Sequence, residues 1–288
     1  MQKFYTLLFL IFLAGNGISQ SYIFQTFKNG KIINSESTET LKTYELDFLV
    51  IHRFGDFLGD QGGWPTFYGM ENAADILIGF NYGLNDNFQV GISRTKGGNG
   101  AGLAQNVNAT FKYRVMRQKT EGSPFSMAIS GVASTSTATQ SDNPASLRNF
   151  TKFSHRVVYF SQLMIARKFS SRFSLQLAGG YTHRNKAYAN ESNGILNTSL
   201  GARIQLTKVW GMLVDVVVPF ASHIQLFETH QPSIGVGFEA ETGGGHVFQF
   251  NFTNARGIME TDIIPYTTDQ WSLGQYRLGF TISRKFKL

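Results

Sequence analysis

Apolar and polar residues alternate with a period of two through most of the chain after residue 42. In residues 44–50 Tyr, Leu, Phe and Val alternate with Glu and Asp, and in residues 248–253 Phe alternates with Gln, Asn and Thr. Successive side chains of a β-strand point to opposite faces, so each such segment predicts a strand with one apolar and one polar face. Together with residues 152–168, in which Val157, Val158, Tyr159 and Phe160 are apolar on both faces, the alternation predicts about twelve strands.

Such strands fit a barrel that crosses a membrane, and a soluble antiparallel sandwich is the alternative. The segments approach the roughly 9–11 residues that a tilted strand needs to cross a bilayer. Gly, Ser, Asn, Thr and Gln dominate the polar face, as in a barrel lumen, and long connections such as 54–73 alternate with short ones such as 83–87. The sequence therefore predicts an all-β, transmembrane, antiparallel up-and-down barrel of outer-membrane type over residues 42–288.

The first residues have the pattern of an export signal. Lys3 precedes an apolar run over residues 4–13, and small residues follow up to Ser19. A membrane anchor helix, the alternative, needs about 20 apolar residues, which this run does not reach. We therefore predict a signal peptide over residues 1–19, cleaved before Gln20, and a final location in the cell outer membrane.

Residues 20–41 lie between the predicted signal peptide and the predicted barrel. Asn29-Gly30 predicts a hairpin turn between residues 22–27 and 31–33. The segment is either a periplasmic extension or a plug that enters the lumen, and the sequence leaves both open.

Composition excludes several classes of function. The chain has no cysteine, so it has no disulfide, thiolate metal site or cysteine nucleophile. Its net charge is +7, yet no Lys/Arg run interleaves with aromatic residues, which argues against nucleic acid as a partner. The histidines lack metal-ligand spacing, and the glycine-rich stretches 97–100 and 243–245 lack the Lys-Ser/Thr of a phosphate-binding loop. We expect neither a metal nor a cofactor.

Charged residues on the polar face are predicted to line the lumen and to set its selectivity. They are Glu45, Asp47, Arg53, Lys112, Arg114, Arg203, Asp215, Glu239 and Arg277. Such side chains either line a water path or pair and close it. About twelve strands is intermediate between small filled barrels and wide porins, so an open passage and a closed lumen both remain possible. The near balance of charge predicts no strong ion preference.

A second candidate site lies where the first strand meets its long loop. His52, Asp56 and Asp60 lie close together in the sequence, with Arg53 and Glu71 nearby, and could bind a ligand or an ion. The alternative, which we favour, is a charge network that ties the loop to the barrel rim.

His155 and His183 raise the possibility of an outer-membrane lipid hydrolase, since a lipid-facing histidine could activate a serine. Ser154 points to the opposite face from His155, and Ser161 is too deep in its strand. No Gly-x-Ser-x-Gly motif is present. We therefore predict no catalytic residues and interpret both histidines as part of an interfacial girdle.

Short motifs occur in a recognisable order along the predicted mature chain. They include Leu46-Asp47-Phe48, His52-Arg53-Phe54-Gly55, Tyr82-Gly83, Val90-Gly91-Ile92-Ser93-Arg94 and Lys112-Tyr113-Arg114. With these motifs the chain resembles an uncharacterised domain-of-unknown-function family of membrane or secreted β-barrel proteins from Gram-negative bacteria. The resemblance implies an outer-membrane barrel and brings no activity, ligand or catalytic residue.

The sequence thus predicts a small passive channel or a solute-binding barrel. A non-conducting structural or interaction barrel is the main alternative, and a lipid hydrolase is the weakest one. The expected partners are outer-membrane lipid, the barrel-insertion machinery during biogenesis and small solutes.

Overall fold

A computed structural model of the chain describes residues 22–23, 25–97, 105–242 and 244–288. The predicted signal peptide lies outside the described residues, as do residues 98–100 and 243 of the two glycine-rich stretches.

Within the described residues, twelve strands form one closed barrel. They are β1 (Glu45–Phe54), β2 (Ala73–Asn85), β3 (Phe88–Lys96), β4 (Gln105–Met116), β5 (Ser126–Ser136), β6 (Val157–Lys168), β7 (Phe173–Arg184), β8 (Gly194–Gln205), β9 (Trp210–Phe220), β10 (Ser233–Glu241), β11 (His246–Thr253) and β12 (Arg277–Lys287). Each strand is antiparallel to its neighbours in sequence, and β1 pairs with β12 to close the cylinder. The predicted all-β, antiparallel up-and-down barrel is confirmed.

The outer surface of the barrel is an apolar belt. Its large side chains on the strands include Ile78, Phe80, Ile92, Phe111, Leu163, Leu177, Leu196, Leu200 and Phe250, which are 43–61% exposed. They alternate with buried polar residues such as Asn108, Gln162 and Gln176, which point inward. Because so much contiguous apolar surface is unfavourable in water, this belt is the surface that faces lipid.

Short and long connections alternate around the barrel, as expected. The short ones are residues 86–87, 117–125, 169–172, 206–209 and 242–245, and they share one end, which we call the turn end. The longer loops, of which 137–156 and 254–276 are the longest, share the loop end. The barrel begins at Glu45 and finishes at Lys287, paired with each other at the turn end.

Among the residues that the structure describes, helical structure is confined to short segments. The helix α1 (Glu260–Tyr266) belongs to the loop between β11 and β12 and packs against β6, β7, β8 and β9. Three 3-10 turns occupy Trp64–Thr66, Phe153–Arg156 and Trp271–Leu273. In the part of the chain that the structure describes, no helix is long and apolar enough to span a membrane.

The lumen contains an apolar cluster, although the inward face was expected to be polar. The wall contributes Ile51, Leu77, Val132, Phe160, Ile195 and Val217, and the loop between β11 and β12 contributes Ile258, Met259 and Ile264. The inward apolar residues are covered by this loop instead of water, so their burial stabilises the folded state, at roughly 25 cal/mol per Å². The interior of this barrel is therefore a packed core over part of its height.

Candidate functional site: a lumen closed by two inserted segments

Residues 25–41, which we call the plug, lie inside the barrel. Most of their side chains are buried, namely those of Thr26, Phe27, Asn29, Lys31, Ile32, Ile33, Asn34, Ser35, Ser37, Thr38 and Leu41. Phe27, Ile32 and Ile33 pack against Ala166 and Leu213 of the wall. Of the two positions that the sequence left open for this segment, the structure has the one in the lumen.

The prediction of a hairpin turn at Asn29-Gly30 is wrong. The plug turns instead between Lys31 and Glu36, which face each other in an antiparallel bridge, with the Ile32 amide donating to the Ser35 carbonyl at 2.8 Å. The physical reason is a carboxylate on the barrel wall, which binds the backbone at this later turn.

That carboxylate belongs to Asp215 on β9, and it is completely buried. Its Oδ2 accepts hydrogen bonds from the backbone amides of Ile33, Asn34 and Ser35 at 3.1, 2.7 and 2.8 Å. Its Oδ1 accepts a fourth, from the Ser35 hydroxyl, at 2.9 Å. Hydrogen bonds to an ionised acceptor are about twice as strong as neutral ones, so Asp215 is a strong anchor for the plug.

Two basic residues of β4 bind the plug from another side. The Lys112 ammonium lies 2.7 Å from the Glu36 carboxylate and also donates to the Gly30 and Glu39 carbonyls. Arg114 pairs with Glu39 at 3.4 Å. Burial opposes ionisation of Glu36, but the ammonium groups of Lys112 and Lys31 outweigh it and lower the pKa of Glu36.

Wall glutamines complete the attachment of the plug backbone. The Gln176 side chain accepts from the Thr38 amide at 3.0 Å and donates to the Glu36 carbonyl at 2.7 Å. Gln89 accepts from the Leu41 amide at 2.9 Å. Part of the polar face of the barrel is therefore satisfied by the backbone of the plug.

A second segment enters from the loop end. Residues 254–269, which we call the loop insert, include α1 and the apolar residues of the luminal cluster. Asp75 of β2 accepts from the Ile258 amide at 3.0 Å, and Ser134 of β5 lies 2.8 Å from the Thr261 hydroxyl. His230 Nε2 lies 3.1 Å from the Pro265 carbonyl. The insert is thus attached to several strands and to one other loop.

The plug and the loop insert meet in an ion pair inside the barrel. Lys31 Nζ lies 2.7 Å from Glu260 Oε1, and both side chains are no more than 5% exposed. Burial raises the pKa of Glu260 despite the adjacent Lys31, and the Glu36 carboxylate adds to the effect. The pair links the two segments where they touch.

Arg53 holds both segments at once. Its guanidinium donates through Nη1 to the carbonyls of Ala255 and Gly257 in the loop insert. Through Nη2 it donates to the Asn34 side chain at 2.8 Å and to the Ile33 carbonyl at 3.4 Å in the plug. Since Arg53 is only 1% exposed, it is a buried connection between the wall and the two inserted segments.

The remaining predicted lumen residues have other partners. Arg203 pairs with Glu239, and Arg277 pairs with Asp269 of the loop insert. Asp47 accepts from the Ser283 hydroxyl at 2.6 Å. Glu45 lies at the turn end, away from both inserts, and accepts from the Lys42 amide at 2.9 Å.

The loop candidates separate. Asp56 and Asp60 line a cavity of about 520 Å³ at the loop end. His52 does not join them, because it lies one position from the inward Arg53 and so points outward, where its ring stacks on Phe280 with centroids 5.4 Å apart. The candidate site that grouped His52 with the two aspartates is therefore wrong, because alternate residues of a strand point to opposite faces of the barrel.

Of the two histidines considered for a hydrolase, His155 lies in the 3-10 turn Phe153–Arg156 and His183 faces outward near the end of β7. His155 Nδ1 is 3.2 Å from the Thr151 hydroxyl, and His183 packs beside Tyr181 with ring centroids 6.4 Å apart. Across the described ranges, no group of three or more His, Cys, Asp or Glu residues is placed to hold a metal ion.

Sequence reasoning missed the partners that the inserted segments supply. They are Lys31, Glu36, Glu39, Glu260, Asp262 and Asp269, together with Asp75 on the wall. The sequence indicated these partners only by charged residues in two segments that otherwise have the composition of polar linkers. The wall residues that they contact are far away in the sequence.

Comparison with known proteins agrees with this architecture. A family model described as "Membrane bound beta barrel domain (DUF5777)" matches residues 27–286. None of the curated proteins compared with the chain matches it in sequence.

Among solved structures, an outer membrane channel from Pseudomonas putida F1 is similar at a TM-score of 0.55 and 10% identity, over 88% of this chain and 100% of that one. The NanC porin is similar at a TM-score of 0.49 and 6% identity, over 84% and 100% of the two chains. At such identities the likeness concerns the fold alone.

Proposed function

The chain belongs to the DUF5777 family of membrane-bound β-barrel domains, and from that premise we propose that it is a gated outer-membrane channel for small hydrophilic solutes. The plug and the loop insert are its gate, closed in the conformation described above. The proposal includes export through the signal peptide 1–19 and insertion by the barrel machinery from the turn end.

The observation that carries the proposal is the chemistry of the plug attachment. The wall residues Asp215, Lys112 and Gln176 bind the plug through its backbone and through an ion pair inside the barrel. Water can replace each of these polar contacts if the plug leaves, so the wall behind it is already suited to a hydrated passage. Arg53 and Lys112 would then line that passage and act on its selectivity.

A non-conducting structural barrel is the second candidate, and a specific observation favours it. The apolar cluster that Phe160, Ile195 and Ile264 help to form would be exposed to water if the loop insert left. That exposure is unfavourable. A stable open state therefore requires the loop insert to stay in place while the plug moves, and if the insert cannot stay without the plug, the barrel does not open.

The ion pair between Lys31 and Glu260 tests the gate. Lys31→Met leaves the Glu260 carboxylate buried without its cation, which typically costs 3–5 kcal/mol. We expect frequent openings of Lys31→Met in planar bilayers, where the unchanged chain opens rarely. The double variant Lys31→Met/Glu260→Leu removes both charges and should close again, since replacing a whole buried pair by apolar residues is often neutral or stabilising.

The double variant is the control for the single one. Equal and frequent openings of both would mean that the contact between the segments does not hold the gate. Silence of Lys31→Met, in protein that migrates as a folded barrel, would favour the non-conducting barrel.

A further inference from the structure

The loop-end cavity has the size of a small-molecule site. Its volume of about 520 Å³ falls within the usual range of roughly 300–1,000 Å³. The loop 55–72, the start of β2 and the loop insert enclose it, and its polar lining includes Asp56, Gln61, Asn72, Asp75, Asp262 and Arg277. The cavity lies above the closed part of the lumen.

One end of the cavity carries two carboxylates, and Arg53 is the cross-strand neighbour of one of them, Asp75. Asp262 Oδ2 accepts from Asn106 at 3.3 Å, and Asp75 accepts from the Ile76 and Ile258 amides. Within the described ranges neither carboxylate forms an ion pair. Burial, with the nearby Asp75 carboxylate, raises the pKa of Asp262 to about 7. Two carboxylates against the single guanidinium of Arg53 leave this end with an excess of negative charge.

The other end is close to neutral and offers a free donor. Arg256 and Arg277 share the Asp269 carboxylate, and Asp56 lies near enough to Arg256 to act on it electrostatically. Arg277 is 3% exposed, lines the cavity, and its Nε–H has no hydrogen-bond partner among the described residues. Because the local charge is already balanced, a neutral hydroxyl oxygen fits this donor better than a carboxylate does.

We infer that the cavity binds a small polyhydroxylated amine, with its ammonium group between Asp75 and Asp262 and its hydroxyl groups toward Arg277. Such a ligand is positively charged at one end and neutral along the rest. Its charged end matches the negative end of the cavity, and its hydroxyl groups match the end that is close to neutral. The inference rests on the proposed channel in one respect, that the cavity is where the solute enters the channel. Binding of the ligand in the cavity does not require the gate to open.

Calorimetry on the full-length protein in detergent at pH 8 tests the inference. The probe is glucamine (1-amino-1-deoxy-D-glucitol), which stays protonated because alkylamines titrate near 10. The matched neutral probe is D-glucitol, and CaCl₂ is the inorganic probe. We expect glucamine to bind at least tenfold more tightly than D-glucitol. Equal binding of both polyols, or binding of Ca²⁺ alone, would overturn the inference.

Variants locate the binding. Asp262→Asn should weaken glucamine binding at least tenfold, while the loop insert stays as resistant to protease as in the unchanged protein, because the neutral amide is easier to bury. Glu71→Gln is the matched control, since Glu71 is exposed on the loop 55–72, which borders the cavity, and does not itself line it. An equal loss with Glu71→Gln would contradict the assigned position. Glucamine binding in a protein that never conducts would overturn the channel and leave the site intact.

Discussion

Arg53→Met should release the plug and the loop insert together. The guanidinium is buried and donates to Ala255 and Gly257 on one segment and to Ile33 and Asn34 on the other. Methionine fills similar volume but donates nothing, and each buried acceptor left unsatisfied costs about 1–3 kcal/mol. We expect docking of the two segments to weaken by about 3 kcal/mol or more in total.

A change of that size is large enough to measure by proteolysis. Each 1.36 kcal/mol is a factor of ten, so trypsin cleavage at Lys28 and Lys31 should accelerate about a hundredfold where opening is in rapid equilibrium. Cleavage at Arg256 should accelerate in parallel. Arg167→Met is the control, because Arg167 is exposed on the outer face of β6, over the ring of Phe169. Unchanged cleavage in Arg53→Met would show that Arg53 does not hold the segments.

Asp215→Ala should release the plug while leaving the loop insert in place. The substitution removes the acceptor of three backbone amides and of the Ser35 hydroxyl. These donors are buried, so their desolvation is no longer compensated. Hydrogen exchange at Ile33, Asn34 and Ser35 should then accelerate by about a hundredfold or more, since hydrogen bonds to charged groups contribute roughly 1.5–3 kcal/mol each.

Two further variants calibrate that result. Asp215→Asn keeps one carbonyl acceptor without the charge, so its acceleration should be smaller than that of the alanine variant. Asp86→Ala also removes a carboxylate that binds backbone, but at Thr43 outside the plug, and should leave the plug amides protected. Equal exchange in Asp215→Ala and the unchanged chain would mean that another contact fixes the turn.

The strands could be predicted from sequence because each one carries its own pattern. Residues 248–253 alternate strictly, and the structure has β11 there. The inward apolar residues Ile51 and Leu77 follow the same backbone rule, but the loop that covers them, with Ile258, lies far away in the sequence. Local periodicity contains no information on such a partner.

The same limit explains the candidate site. Asp215 and Lys112 were predicted to face the lumen, and they do, but their partners lie in residues 30–39, where a polar hairpin fits a periplasmic extension equally well. His52 was grouped with Asp56 by closeness in sequence, whereas strand parity sends it to the outer face. Local rules predicted the face of the barrel to which a side chain points. They did not predict the residues that the side chain contacts.

A reversible lock on the plug tests the gate most directly. A Cβ built at Gly235 would lie 3.1 Å from Ile33 Cβ, near the roughly 3.5–4.5 Å of a disulfide. The chain has no cysteine of its own, so Ile33→Cys/Gly235→Cys creates a single bridge between plug and wall. The measurement is single-channel current of this pair in the Arg53→Met background, before and after reduction. We expect silence while the bridge is oxidised and openings once it is reduced, whereas equal openings in both states would contradict a gate that works by moving the plug.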